Sequence, residues 1–196
     1  MKLIPAILFS LLTTAFGFWV FRVKVRRDYR QLGKLTPLST WLEILIFALH
    51  ANLMYIFLPA PWPELPSLPE NPIHLAVSAL LILSGLGLTL STMSNLGFKK
   101  AVGQETDALH NRGWYRQTRN PQLVFYFVLL VGWASLYPAW LGLLWLGVYG
   151  IIAHWMVLTE EEHLENLYGQ AYRDYRKEVP RYIRLRRKNE TRLTGH

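Results

Sequence analysis

The stretch RNPQLVFYFVLLVGWASLYPAWLGLLWLGVYGIIAHWMVLTEEE, residues 119–162, decides how the rest of the chain is read. Arg119-Asn120-Pro121 introduces two apolar runs joined at Pro138 with almost no loop, and the second run ends in Glu160-Glu161-Glu162. About 20 mostly apolar residues are needed to cross a bilayer as a helix. The stretch therefore predicts a tight transmembrane hairpin, from about Gln122 to Tyr137 and from about Ala139 to Leu158. Its first arm is short and calls for tilt or shielding by protein. Charged residues crowded against the end of such a run are costly unless they form a site at the membrane surface.

Three more apolar blocks precede the hairpin: Leu3 to Phe21, Pro37 to Leu58 and Ile73 to Met93. The fold class expected is an all-α polytopic membrane bundle. It has about five transmembrane helices, the last two a tight hairpin, and a C-terminal cytoplasmic helix. Residues 1–94 would hold helices 1–3. Residues 95–196 would form a cofactor-binding loop, the hairpin and the tail, as one integrated domain. The N-terminus superficially resembles a signal peptide, but the apolar run continues through Trp19, Val20 and Phe21, and a retained first helix is expected. In the third block Ser84, Gly87, Ser91 and Ser94 share a helical face, where small residues let a neighbour approach closely.

Composition supports this reading. Of 196 residues, 52% are hydrophobic and 17% charged, against about 25% charged in soluble domains. The net charge of +8 is not a nucleic-acid signal, because its lysines and arginines fall between or after apolar blocks. The segments 22–37, 95–121 and the tail are basic. The linker from Pro59 to Pro72 holds six prolines, two glutamates and no lysine or arginine. Five crossings then put every Lys and Arg except Lys2 on the cytoplasmic side. There is no cysteine, which removes disulfides, thiolate catalysis and cysteine-based metal sites. The histidines are dispersed and no HExxH pair occurs, so no metal site is expected.

Two clusters have the residue types for chemistry. The first runs from Gln104 through Leu109-His110-Asn111-Arg112-Gly113-Trp114-Tyr115 to Arg119-Asn120-Pro121. Pro121 suits the first turn of a helix, whose free N–H groups attract anions. Arg119 adds a bidentate carboxylate clamp, and Leu109, Trp114 and Tyr115 offer an apolar wall. The second is the tail, where Leu164, Tyr168, Tyr172 and Tyr175 recur at helical spacing with Glu161 on the same face. Carboxylates there would meet Arg119 or a cationic ligand such as a sulfonium.

Arg-Asn-Pro-Gln, a hairpin, and then Glu-Glu-x-x-Leu-x-x-x-Tyr-Gly-x-x-Tyr-x-x-Tyr-x-x-x-Val-Pro-Arg together resemble the isoprenylcysteine carboxyl methyltransferase family and the related phospholipid N-methyltransferases. The resemblance covers roughly residues 100–183. It implies S-adenosylmethionine as donor, leaving as S-adenosylhomocysteine. The donor would be bound by Gln104, Ala108, Leu109, His110, Tyr115, Arg119, Asn120, Pro121, Gln122 and Glu160, with Arg119, Glu160 and Glu161 as the catalytic set and no metal. A lipophilic or prenylated acceptor would enter from the bilayer. The family pattern has His where this chain has Asn120. The substrate-binding Arg of the eukaryotic enzymes falls on Met156.

The resemblance leans slightly to carboxyl O-methylation of a prenylcysteine-like acceptor, with Arg119, Arg173 or Arg176 positioning the carboxylate. N-methylation of a phospholipid amine is the alternative, with Glu160 or Glu161 taking a proton. Membrane sterol reductases share a similar C-terminal pattern and bind NADPH; the glutamates weigh against that. A non-enzymatic scaffold or transporter would draw on Glu43, His50 and Asn52. The host membrane expected is the plasma membrane in a prokaryote and the endoplasmic reticulum in a eukaryote.

Overall fold

A computed structural model describes residues 3–58, 64, 66–96 and 112–183. Among them the elements are α1 (Leu3–Phe18), a π-helical stretch (Trp19–Val25), α2 (Arg26–Leu32), α3 (Pro37–Phe57), α4 (Pro72–Leu96), a 3-10 turn (Gly113–Arg116), α5 (Pro121–Leu136), α6 (Trp140–Tyr168) and α7 (Gln170–Glu178). The described residues contain no strand, and the chain is an all-α polytopic membrane bundle. Four helical stretches are long and apolar enough to cross a bilayer, and α5 is a shorter apolar helix. Leu80, Leu83, Leu143 and Trp41 are exposed on these helices, which suits contact with lipid and not with water.

The first helix departs from expectation. The basic segment after Phe21 is not a linker: Leu3–Leu32 is one helical stretch of 30 residues. At 1.5 Å per residue it runs about 45 Å, against about 30 Å of hydrocarbon. Its last turns project beyond the membrane with Arg22, Lys24, Arg26 and Arg30. Lys24 and the Ser39 hydroxyl both bond the buried Asp28 carboxylate (2.7 and 2.6 Å), which also accepts the Thr36 backbone N–H at 3.1 Å. This network turns the chain into α3, where Thr36 is the N-cap and Pro37 opens the helix. Gly33, at φ 67°, makes the turn in the left-handed region that glycine enters without penalty.

The α6 helix has 29 residues, about 43 Å. Its apolar part, Trp140 to Leu158, covers about 28 Å and fills the hydrocarbon. The residues from Thr159 onward lie past the membrane-spanning segment. Within the apolar part of the bundle, His50 of α3 and Trp145 of α6 exchange bonds: the His50 Nε2–H donates to the Trp145 carbonyl at 2.9 Å, and the Trp145 indole donates to the His50 carbonyl at 2.8 Å. Their rings stack at 5.2 Å. His50 is thus interhelical glue, whereas Asn52 is exposed and bonds its own helix at Ala48.

The close-packing face of α4 also differs from the one expected. Ser91, Ser94 and Gly87 are exposed or open. Ser78, Gly85 and Thr92, spaced by seven, form the buried face. A Cβ on Gly85 would lie 2.5 Å from the Leu129 nitrogen, and one on Gly132 would lie 2.8 Å from the Ile82 nitrogen. The two backbones therefore touch at reciprocal glycines, and Ser78 bonds Ser135 at 2.9 Å. This embrace supplies the protein shielding that the short α5 needs.

Candidate functional site at the charged end of the bundle

Three consecutive helical residues point in directions about 100° apart, so the acidic triplet splits three ways. Glu162 faces the N-terminal helix, bonding Arg22 at 2.8 Å and Arg26 at 2.6 Å. Beside it Arg22 also donates to Thr159 (3.0 Å), whose hydroxyl donates to the Phe21 carbonyl in the π-helical stretch. Glu161 faces the other way. It pairs with Arg119 at 2.8 Å and takes a bidentate fork from Arg181, Nε at 3.0 Å and Nη2 at 2.6 Å. The side chains of Arg119 and Glu161 are only 9% and 8% exposed. Glu160 makes no hydrogen bond or ion pair with any described residue.

Glu160 is near enough to Tyr115 and Tyr29 for its charge to add to what burial does to their phenols, raising both. Burial, reinforced by the neighbouring Glu161 charge, pushes its pKa up to about 7. Burial also raises the phenols around the site: Tyr172 to about 12, Glu161 adding to the effect, and Tyr175 further. Both stay protonated and act as neutral hydrogen-bonding groups. Arg181 is raised in turn, chiefly by its bond to Glu161.

The tail folds back to close this arrangement. It is not one continuous helix: α6 ends at Gly169, φ 53°, and α7 starts anew, so Leu164 and Tyr168 do not share an unbroken face with Tyr172 and Tyr175. The break turns the buried Tyr172 under Arg119, whose Nη1 lies 3.4 Å from the phenol oxygen. The Tyr175 hydroxyl donates to the Tyr115 carbonyl at 2.6 Å. Past α7 the chain lies along the start of α5: the Arg119 N–H donates to the Pro180 carbonyl at 3.0 Å, and Thr118 and Asn120 both donate to the Arg181 carbonyl. Tyr182 meets His154 Nδ1 at 3.0 Å.

Of the expected site residues, Arg119, Asn120, Pro121, Tyr115, Glu160 and Glu161 gather here, with Gln122 on the first turn of α5. Asn120 holds the tail, and Pro121 is buried at the helix start. Gln104, Ala108, Leu109 and His110 lie outside the described residues. Arg173 and Arg176 are spent on Glu165, at 3.8 and 2.7 Å. Met156, in the place of the substrate arginine, packs against the core. Arg181 and Tyr172 are part of the tail pattern but are given no role in the site by sequence alone. Both lie within the quoted tail motif, where the spacing was visible and the contact was not. The pairing of Glu162 with Arg22 and Arg26 had no sequence signal.

Two donors at the start of α5, Arg119 Nε and Gln122 Nε2, are buried without a hydrogen-bond partner among the described residues. Orphaned donors of this kind cost about 1–3 kcal/mol each unless a ligand satisfies them.

Fold and site together define a polytopic membrane protein with a polar, titratable site at one rim of its bundle. A family model described as phospholipid methyltransferase matches residues 73–171, just over half of the chain. The chain belongs to the phospholipid methyltransferase family, and is a membrane methyltransferase. No curated protein and no solved structure matches it.

Proposed function

We propose that the chain transfers methyl groups from S-adenosylmethionine to the amine of a phospholipid headgroup, at the cytoplasmic end of its bundle, with Glu160 as the proton acceptor. One observation carries the choice of acceptor. The three arginines expected to position an acceptor carboxylate each face a glutamate already, Arg119 on Glu161 and Arg173 and Arg176 on Glu165. The group left over is an acid, Glu160, with a pKa of about 7. A carboxylate acceptor needs a spare cation and no base. An amine arrives protonated and needs a base whose pKa lies near the working pH.

The residues present fit the donor. Its carboxylate suits the unpartnered Arg119 Nε and Gln122 Nε2, and Glu161 holds Arg119 in place for that task. When bound, S-adenosylmethionine supplies an electrophilic methyl group on a cationic sulfur. Glu160 attracts the acceptor ammonium and takes its proton, freeing the nitrogen lone pair. The packed tail and the phenols of Tyr172 and Tyr175 limit water at the rim. The basic clusters after α1, before α5 and in α7 all meet at this end, which favours a cytoplasmic orientation by the positive-inside rule.

The test is incubation of the purified protein with methyl-labelled donor and either phosphatidylethanolamine or a farnesylcysteine analogue. The expected label is base-stable, on the lipid amine, and is lost in Glu160→Gln. Base-labile label released as methanol from the prenylcysteine would overturn the amine reading. Tight NADPH binding with no binding of the methyl donor would overturn the methyltransferase reading of the site.

A further inference from the structure

On the opposite side of the acidic triplet from Arg119 lies a crevice between α2 and α6. It is a shallow notch open to solvent, and Arg26, Tyr29, Arg30, Glu162, His163 and Asn166 line it. We propose that this crevice binds the phosphate of a membrane phospholipid, gripped by Arg26, Arg30 and His163, as a lipid site separate from the one where methyl transfer takes place.

Three independent features support it. The first is charge. The helix through α2 brings Arg22, Arg26 and Arg30, and α6 answers with Glu162 alone. Glu162 is saturated by Arg22 and Arg26 at 2.8 and 2.6 Å, while Arg30 stands 4.0 Å away and is 60% exposed. Three guanidiniums against one carboxylate leave an excess of positive charge, and guanidinium forks match phosphate oxygens bidentately. Glu162 takes part by fixing Arg26 in place.

The second is an unfilled hydrogen bond. His163 is 7% exposed, and its ring is clamped parallel to Tyr29 at 4.0 Å and 5°. Its Nε2 has no partner among the described residues. A ring this well held, with one nitrogen unused beside two guanidiniums, is suited to donate to an anionic oxygen. The Tyr29 stack fixes where that oxygen must sit.

The third is depth. His163 lies five residues past Leu158, about 7.5 Å along the helix, and Arg26 begins five residues beyond the apolar run that ends at Phe21. The headgroup layer is about 5–7 Å thick on each side of the hydrocarbon. The crevice therefore lies at the outer edge of that layer, where the long side chains of Arg26 and Arg30 can reach back to lipid phosphates, which favours a membrane lipid over a free anion. Arg26, Tyr29 and Arg30 precede the residues matched by the family model, and the proposal stands whether or not Glu160 serves an amine.

Binding is tested on the full chain, purified and delipidated in mild detergent, with retained lipid counted by native mass spectrometry. The probes are phosphatidylglycerol, diacylglycerol of the same chains and inorganic phosphate. Phosphatidylglycerol should be retained and diacylglycerol not. Arg30→Gln should weaken retention about tenfold, the loss of one charge-assisted contact. Arg30→Lys should recover part of it, and Lys177→Gln, an exposed control in α7, should change nothing. Unchanged thermal unfolding in Arg30→Gln would tie the loss to the crevice. Should Arg30→Gln unfold, His163→Gln carries the same expected loss. Equal retention of diacylglycerol, equal loss in the Lys177 control, or displacement of the lipid by millimolar phosphate would each overturn a phospholipid site. Since none of these readouts uses methyl transfer, failure here leaves the proposed activity untouched, and failure of that activity leaves this site standing.

Discussion

Replacing Glu161 by Gln should be among the most damaging single changes in the chain, and its cost should nearly vanish when Arg119 is replaced as well. The two groups are 2.8 Å apart and about nine-tenths buried. At an effective dielectric constant of about 20 their attraction is about 6 kcal/mol, most of it offset by the cost of removing both charges from water. Breaking the pair from one side keeps that desolvation cost and discards the attraction, so Glu161→Gln and Arg119→Gln should each lose about 3–5 kcal/mol. The double variant removes both charges. It leaves only Arg181 without its partner, and that side chain is 32% exposed and can turn to water. Its loss should be about 1–2 kcal/mol, far below the sum of the singles. The assay is the unfolding free energy in mixed micelles titrated with a denaturing detergent, run as a double-mutant cycle, with donor binding measured in parallel. Donor binding should fail in the double variant although stability returns, since Arg119 Nε is gone. Stability losses that add to within about 0.5 kcal/mol would refute the claim that these groups form one buried unit.

Glu160→Gln should trade activity for stability. A carboxyl held at about 7 against an ordinary 4.5 binds its proton more tightly in the folded chain, so the folded state loses stability as pH rises from about 4.5 through 7. The shift corresponds to about 3 kcal/mol. The Gln variant should match the wild type near pH 4.5 and exceed it by up to that amount at pH 8, while the rise in methyl transfer through pH 7 disappears; an unchanged pH profile would count against Glu160 as base. Gly85→Ala should cost about 1–3 kcal/mol by overpacking, since its Cβ would fall 2.5 Å from the Leu129 nitrogen, whereas Gly87→Ala, with open space around it, should be neutral; micelle unfolding distinguishes them. Arg181→Gln should cost only about 1 kcal/mol of stability, yet loosen the tail, read as faster amide exchange at Arg119, whose N–H is held by the Pro180 carbonyl.

Much of the membrane architecture was legible in the chain before any coordinate. Apolar runs of bilayer length, basic segments between them and a proline-rich linker without a cation are one-dimensional signals, because the bilayer acts on each helix separately. The meeting of Arg119 with the acidic triplet was also foreshadowed by motif order. What each glutamate does was not. Glu160, Glu161 and Glu162 are identical in sequence, and only their 100° steps around α6 give one to the N-terminal helix, one to Arg119 and Arg181, and leave one with its proton near pH 7. The reach of the first helix past Phe21 was hidden because basic residues signal topology and not helix ends. The packing face of α4 was misplaced by a few residues because several small residues lie close together along it, and only the backbone of α5 selects Gly85. Apolar run lengths and basic linkers already spell out a membrane bundle with a polar rim; which charges cancel and which remain available emerges only on folding, since ion pairs such as Arg176 with Glu165 and Arg22 with Glu162 join side chains 11 and 140 residues apart along the chain.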